Sequence, residues 1–193
     1  MDKPSNILVH PSVDRSRPDI QSLIQAEFPK ARLLHRLDFG TSGILVFGFS
    51  RIAQELLTQA DKFYFCMVEG QLSKQGLIKL YLKDKKGKVQ SVRSGGKVAI
   101  TEINTLHCTS THSLVRARLI TGRRHQIRVS LAEHKCPIVG DTLYGGKPYN
   151  RLMLHAIAMI LDGRILLSSI PDSFKKAFPE FDFSSNSWFF PDK

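Results

Sequence analysis

The chain has 193 residues, of which 42% are hydrophobic and 23% are charged, and its formal net charge is +11. This length supports one domain with a substantial core, and no apolar run approaches the roughly 18 residues of a membrane-spanning helix. The positive charge indicates a polyanionic partner, nucleic acid or an anionic membrane surface, although a solvated cationic surface has the same composition.

In the first part of the chain, short strands alternate with helices. The pattern predicts a strand at residues 7–9 and a helix at 19–27 that stops before Pro29. It then predicts a strand at 44–49 and a helix that Ser50 caps and that continues to residue 61. Residues 62–69 are apolar on both faces, which is typical of a central strand.

The second part of the chain is richer in strands. Strands are predicted at 77–82, 99–108 and 113–120, and a helix from 121–122 to about 134. A hairpin with a primed turn at Asp162-Gly163 joins strands at 152–161 and 164–170, and a closing helix covers 171–178. Residues 84–97 are expected to form an exposed hairpin or loop, and residues from 181 onward to wrap the surface.

These elements predict an α+β fold with a mixed, largely antiparallel central sheet flanked by helices, in a single domain over residues 1–193.

An acid lies in a turn just before a core strand. Residues 35–43 read HRLDFGTSG, and the apolar run at 44–47 follows at once. Arg36 favours the ionised form of Asp38, and Gly40 and Gly43 permit a tight turn. Taken alone, such a segment is more often an ordinary hairpin turn with a surface Asp.

Cationic side chains surround a predicted helix start. Arg123, Arg124, His125 and Arg128 lie within residues 121–129, and arginines at a helix N-terminus add to its positive field. This placement favours an anionic partner such as phosphate or a buried carboxylate. The alternative is a solvated basic face.

Taken together, the motifs of this chain closely resemble those of the RluA-type pseudouridine synthases. The matching segments are HRLD at 35–38 with TSG at 41–43, GRRHQIR at 122–128, GDTLYG at 140–145 and LHA at 154–156. KPS at 3–5 with VHP at 9–11, and KFY at 62–64 with VEG at 68–70, extend the resemblance over roughly residues 3–178. Phe39, Arg124 and Ser130 depart from the residue types usual in the family.

The resemblance implies isomerisation of uridine to pseudouridine within RNA, without a metal, nucleotide or redox cofactor. It makes Asp38 the essential carboxylate, as nucleophile or general base, and pairs Arg128 with Asp38. Tyr64 would stack on uracil and help to remove the C5 proton, although its apolar strand is equally consistent with core packing. Arg36 would fill the space of the flipped base or hold a phosphate.

A further set of basic residues is expected to bind the RNA, which would be ribosomal or transfer RNA. It comprises His35, Arg123, Arg124, Lys85, Lys86 and Lys88, the lysines belonging to the basic stretch at 83–97. The alternative is a non-catalytic RNA-binding protein of the same fold. A cytoplasmic monomer is expected, starting at the catalytic domain without the family's frequent N-terminal S4-type RNA-binding domain.

Two other classes of site are disfavoured. The histidines and cysteines at 107, 108, 112, 134 and 136 lack the two clean pairs of a zinc site, and no metal is expected. A metal-dependent nuclease would need clustered carboxylates, whereas the acids here are scattered along the sequence. Three widely spaced cysteines suggest a reducing compartment.

Overall fold

The computed structural model describes residues 1–14, 16–73, 75–185 and 188 of the chain. In chain order the helices are α1 (Ile20–Glu27), α2 (Arg51–Thr58), α3 (Gln126–Glu133) and α4 (Asp172–Ala177). The strands are β1 (Asp2–Lys3), β2 (Arg32–Leu33), β3 (Ser42–Ile44), β4 (Phe47–Gly48), β5 (Asp61–Glu69), β6 (Gly76–Lys85), β7 (Lys88–Ser91), β8 (Lys97–Cys108), β9 (His112–Leu119), β10 (Leu154–Leu161) and β11 (Arg164–Leu167).

Residues Met1–Lys62 and Leu154–Ser169 form the first of two compact units. β3 pairs antiparallel with β1 and parallel with β10, and β10 pairs antiparallel with β11. β2 and β4 form a separate antiparallel pair. The core of this unit is a cluster of Leu34, Ile44, Leu57, Ala60 and Met159. The turn that holds Asp38 therefore joins directly to a core strand.

Residues Phe63–Met153 and Ile170–Lys193 form the second unit. Its strands lie in the order β5-β9-β8-β6-β7, and the pairings from β9 to β7 are antiparallel. Val129 of α3 packs in a core cluster with Leu82, Val89 and Ala99 of these strands. The hydrophobic face of α3 thus attaches this helix, which carries Arg128, to the sheet.

The fold is α+β, with largely antiparallel strands and flanking helices, which confirms the predicted fold class. The single catalytic domain expected from the sequence stays a prediction.

The Ser50 cap and the turns were predicted correctly, since Ser50 Oγ accepts from Ala53 N at 3.3 Å to cap α2. Asp19, predicted as the first residue of its helix, instead caps α1, with its side chain accepting from Ser22 N at 2.8 Å. Asp162 and Gly163 have φ of 49° and 70°, as the primed turn between β10 and β11 requires. The basic stretch forms the predicted hairpin, with β6 and β7 joined through Lys86-Gly87.

The first two predicted strands differ from the structure in position or length. The first strand is β1, and at the predicted 7–9 only Leu8 makes an isolated bridge, to Asp19. Asn6 takes a left-handed φ of 61°, which turns the chain between these points. The strand expected at 44–49 is divided into the end of β3 and the short strand β4. Between them, Val46 N–H donates to His35 Nε2, and the Val46 carbonyl accepts from Leu34 N.

The helix predicted from 121–122 begins instead at Gln126. The Gln126 side-chain oxygen accepts from Thr121 Oγ1 at 2.8 Å and from Arg123 N at 3.0 Å, and His125 has a left-handed φ of 52°. These contacts hold residues 121–125 as a loop. Arg123 and Arg124 consequently precede the helix, and Arg128 lies in its first turn.

The predicted surface segment from residue 181 falls partly on residues 186, 187 and 189–193, which lie outside the described residues. Trp188 is buried, and its ring lies 4.8 Å from that of Phe65. At this position the chain therefore contributes to the core of the second unit.

Candidate functional site

Asp38 lies in a turn that the surrounding main chain holds closely. The residue is half-buried, its carbonyl accepts from Thr41 N at 3.1 Å, and β3 begins at Ser42. Gly43 has φ of +108°, and a Cβ there would lie 2.2 Å from the carbonyl oxygen of Ala156 on the parallel strand β10. A glycine is therefore required where the acidic turn enters the sheet.

A buried lysine supports the same turn. Lys3 is 1% exposed. Its ammonium group donates to three main-chain carbonyl oxygens: Pro4 at 2.9 Å, Ile7 at 3.0 Å and Phe39 at 3.2 Å. Asn6 N also donates to Phe39 O at 2.9 Å. The residue that follows Asp38 is thus held by two donors from the N-terminal segment.

Sequence analysis did not select Lys3, because a single lysine beside a proline carries no burial signal. Its only sequence signal is its place in the KPS segment of the family resemblance.

His35, predicted to contact RNA, has a structural contact within the first unit. Its Nε2 accepts from Val46 N at 3.0 Å. Burial, reinforced by the charge of Lys62, lowers the pKa of His35 from 6.5 to about 4. The ring is consequently neutral near pH 7 and adds no positive charge for a phosphate. Arg36 next to it is exposed.

In the second unit, Arg128 forms a bidentate ion pair with Asp141. Arg128 Nε lies 2.7 Å from Asp141 Oδ2, and Arg128 Nη2 lies 2.8 Å from Asp141 Oδ1. The two side chains are 11% and 1% exposed. This parallel geometry fixes the plane of the guanidinium group. The predicted pairing of Arg128 with Asp38 stays a prediction.

Tyr144 lies against this ion pair. The Arg128 guanidinium carbon lies 5.0 Å from the centre of the Tyr144 ring, a cation–π distance. The Tyr144 hydroxyl is hydrogen-bonded to His125 Nδ1 at 2.8 Å and accepts from Val89 N at 3.2 Å. Burial raises the pKa of Tyr144, so its hydroxyl stays protonated at neutral pH.

Asp141 and Tyr144 were part of the family resemblance but were not selected as site residues. The acid follows Arg128 by thirteen positions, and only the return of the chain at 137–146 brings the two together.

Tyr64, the third predicted catalytic residue, is 7% exposed on β5. This burial is consistent with both interpretations weighed for it, core packing and stacking on uracil.

The predicted RNA-binding arginines and lysines have different environments. Arg124 pairs with Asp84 and donates to Gly87 O at 2.8 Å, so it holds the β6–β7 turn. Arg123 Nε donates to Val98 O at 3.0 Å. Lys88 Nζ lies 5.3 Å from the centre of the Tyr144 ring. These three residues stabilise the hairpin and the loop before α3.

Lys85 and Lys86 are exposed at the end of the same hairpin. Beside it lies an open cleft of about 490 Å³, whose lining includes Lys83, Lys97, Arg123, Arg124 and Asp84. Four cationic side chains against one carboxylate give this cleft a net positive charge, which suits a phosphate backbone.

Three further observations concern other kinds of site or segment. Among the residues that the structure describes, no group of three or more histidine, cysteine or acidic side chains is placed to bind a metal ion. Burial raises the pKa of the Cys66 thiol, so this cysteine is not a thiolate nucleophile. Within the same described part of the chain, none of the helices has the length and hydrophobicity of a bilayer span.

Residues 1–133 match the model of a protein family described as RNA pseudouridylate synthase. The aligned segment contains Asp38, Tyr64 and Arg128.

Curated relatives of this chain include an uncharacterised RNA pseudouridine synthase, YhcT, of Bacillus subtilis. It is 37% identical over 175 residues, which cover 81% of this chain and 58% of the relative. Ribosomal large subunit pseudouridine synthase D of Xanthomonas campestris is 35% identical over 164 residues, covering 76% of this chain and 48% of that protein. The chain thus spans about half the length of the curated relatives that it matches.

Among solved structures, the chain is similar to human RNA pseudouridylate synthase domain containing 4. The TM-score is 0.75 at 25% identity, and the alignment covers 92% of this chain and 87% of that one.

Proposed function

Because the chain belongs to the RNA pseudouridylate synthase family, we propose that it isomerises uridine to pseudouridine within RNA, with Asp38 as the essential carboxylate. The observation that carries this proposal is the acidic turn. Its carboxylate is half-buried beside a core strand, and its main chain is held by Lys3 and by the contact between Gly43 and Ala156. A main chain held in this way suits a carboxylate that must approach ribose C1′ in a fixed orientation.

In the proposed reaction, the bond between uracil N1 and ribose C1′ breaks, the base rotates, and C5 bonds to C1′; the proton lost from C5 is balanced by one gained at N1. Asp38 acts at the sugar, either by attacking C1′ or by removing a proton. Its two roles differ in whether a covalent intermediate forms. Tyr64 supplies an aromatic face for uracil, and Arg128 provides the positive charge that favours an ionised carboxylate.

The cationic side chains of the second unit support RNA as the substrate. Lys83 and Lys97 line the cleft beside the exposed Lys85 and Lys86, and the whole chain carries a net charge of +11. A reaction at a base within RNA also requires that base to leave the stack of neighbouring bases. Contacts to the phosphates on either side can hold the strand in this conformation. Relatives named ribosomal large subunit pseudouridine synthase D favour ribosomal RNA, and transfer RNA is the second candidate.

The test replaces Asp38 by Asn, which keeps the shape of the side chain but removes its charge. Cells that lack the gene for this protein are complemented with the wild type or with Asp38→Asn, and pseudouridines in ribosomal and transfer RNA are mapped by chemical labelling. Purified proteins are then compared on the RNA whose modification is lost. We expect the variant to bind RNA normally while its single-turnover rate falls more than about a thousandfold.

Asp162→Asn is the matched control, since it makes the same chemical change in the β10–β11 turn, where asparagine tolerates the positive φ. It should keep full activity. Wild-type protein that binds RNA but leaves every uridine unchanged would favour the non-catalytic RNA-binding alternative. A rate for Asp38→Asn within about tenfold of wild type would refute the assignment of Asp38.

A further inference from the structure

The residue after Asp38 exposes an aromatic ring from a rigid main chain. Phe39 is 43% exposed, although its carbonyl accepts from both Lys3 Nζ and Asn6 N. A large apolar side chain gains free energy when it is covered. Here the main chain is held by two hydrogen bonds and the ring remains accessible to solvent.

A positive charge lies over this ring. The guanidinium carbon of Arg17 is 5.1 Å from the centre of the Phe39 ring. Arg17 follows a turn in which Asp14 accepts from Ser16 N and Ser16 Oγ, and Arg17 N donates to Asp14 O at 3.4 Å. Arg17 therefore contacts the ring from a loop that these hydrogen bonds stabilise, and the residue is exposed to solvent.

We propose that Phe39 and Arg17 form a nucleotide subsite, in which Phe39 stacks on the base next to the target uridine and Arg17 contacts its phosphate. This inference rests on the proposed function, since Asp38 marks the position of the target. Adjacent Cα atoms are about 3.8 Å apart, so Phe39 lies beside the carboxylate at which the extruded target nucleotide would be held. The side chain next to Asp38 is thus within reach of the nucleotide next to the target.

The chemistry of the pair suits an unpaired nucleotide. An aromatic ring can stack on any of the four bases, and a guanidinium group binds phosphate through parallel hydrogen bonds. The subsite should therefore contribute affinity and hold the strand in place, with little preference for the identity of the neighbouring base.

The test uses a short single-stranded RNA that carries one uridine flanked on both sides by 2-aminopurine, whose fluorescence falls when it stacks. Affinity is measured by anisotropy of an end label, and stacking by 2-aminopurine fluorescence. With the wild type we expect quenching on binding. Phe39→Ala should abolish the quenching and weaken affinity about tenfold, since stacking of one base contributes at this level. Phe39→Trp should retain both properties.

Arg17→Gln separates the two parts of the subsite. It should retain the quenching, because the ring remains, while the salt dependence of log Kd decreases by about 0.7, the value for one phosphate contact in a single strand. Phe49→Ala is the matched control, because Phe49 is 62% exposed in the same unit but belongs to an aromatic cluster with Phe28 and Phe47. It should leave quenching and affinity unchanged.

Quenching and affinity that survive in Phe39→Ala, or that fall equally in Phe49→Ala, would overturn the subsite while leaving the proposed function intact. A wild-type protein that binds this RNA without quenching would also overturn it. Failure of the wild type to bind RNA at all would count against both the subsite and the proposed function, and the pseudouridine mapping described above would fail with it.

Discussion

The ion pair between Arg128 and Asp141 is among the least exposed charged contacts of the second unit. Removing a pair of charges from water is costly, and the cost is offset only where the geometry is good and the remaining atoms are hydrogen-bonded. The bidentate contact meets this requirement, and the Tyr144 ring covers one side of the guanidinium group. We therefore interpret Asp141 and Tyr144 as positioning residues for Arg128.

Asp141→Asn should be strongly destabilising, because it leaves a nearly buried guanidinium group without its carboxylate. We expect the free energy of unfolding to fall by about 3 kcal/mol, measured by urea unfolding at neutral pH. The control is Asp84→Asn, which removes the partner of Arg124 from an ion pair whose side chains are 44% and 48% exposed. That change should cost less than about 1 kcal/mol. Equal losses in the two variants would contradict the structural importance assigned to Asp141.

His35 should make the first unit sensitive to acid. Its pKa is about 4 in the folded protein and 6.5 in the unfolded chain, so between these values the unfolded state binds the extra proton. The contribution of His35 to the free energy of unfolding should thus be greatest above pH 6.5. It should fall by up to about 3 kcal/mol as the pH is lowered to 4, and titration of His35 should cause no further change below pH 4. Protonation of Nε2 would also remove the acceptor for Val46 N.

Urea unfolding between pH 4 and 7 measures this effect. His35→Gln lacks the titrating ring and should flatten the pH dependence. His10→Gln is the matched control, because His10 is exposed in the same unit, where it contacts Gln21. If His35→Gln kept the wild-type slope, the acid sensitivity would have another source.

At the scale of elements, two polar connections join the hairpin of β6 and β7 to the α3 region, in addition to the packing of Val129 against Leu82 and Val89. Arg124, just before α3, pairs with Asp84 and donates to Gly87 O in the hairpin. Tyr144 connects Val89 of the hairpin with His125 and Arg128. The element that carries the exposed lysines is therefore braced against the helix that carries Arg128.

Tyr144→Phe should loosen this connection without removing the ring contacts of Arg128 and Lys88. It deletes the hydroxyl that accepts from Val89 N, a bond of about 1 kcal/mol. We expect amide hydrogen exchange at Val89 to become roughly fivefold faster. Tyr149→Phe, at an exposed tyrosine of the same unit, should not change it. Unchanged exchange at Val89 in Tyr144→Phe would show that the Tyr144 hydroxyl does not hold the hairpin.

At the scale of the whole molecule, the chain carries a net charge of +11, and part of it lies where the proposed substrate would bind. The cleft beside the hairpin collects Lys83 and Lys97, and Lys85 and Lys86 extend the positive surface to the end of the hairpin. Because binding to a phosphate backbone releases counterions, the contribution of such residues appears in the dependence of affinity on salt.

Neutralising two of these lysines should weaken the salt dependence of RNA binding. Lys85→Gln combined with Lys86→Asn should reduce the slope of log Kd against log salt by about 1.4 to 1.8; asparagine is chosen because Lys86 has a φ of 51°. The single-turnover rate at saturating RNA should remain that of the wild type. Lys175→Gln with Lys176→Gln on α4 removes the same charge from another exposed site and should leave the slope nearly unchanged. Equal slopes in the two variants would show that the hairpin lysines are only solvated.

Much of the local structure was determined by neighbouring residues and could be predicted from the sequence. The cap at Ser50 acts within three residues, and the turn at Asp162-Gly163 depends on two residues that tolerate positive φ. The acidic turn at 35–43 and the basic segment at 121–129 were likewise recognised from the sequence, because each is a short contiguous stretch of residues.

The supporting contacts required the tertiary structure. Lys3 donates to the carbonyl oxygen of Phe39, 36 positions away, and Val46 N–H donates to the side chain of His35, eleven positions before it. Asp141 meets Arg128 only after the chain reverses. Burial of a charged or polar group depends on which distant atoms surround it, and no local pattern encodes that environment. The sequence by itself therefore determined the family and the candidate carboxylate, whereas only the tertiary structure decided which side chains hold the site in position.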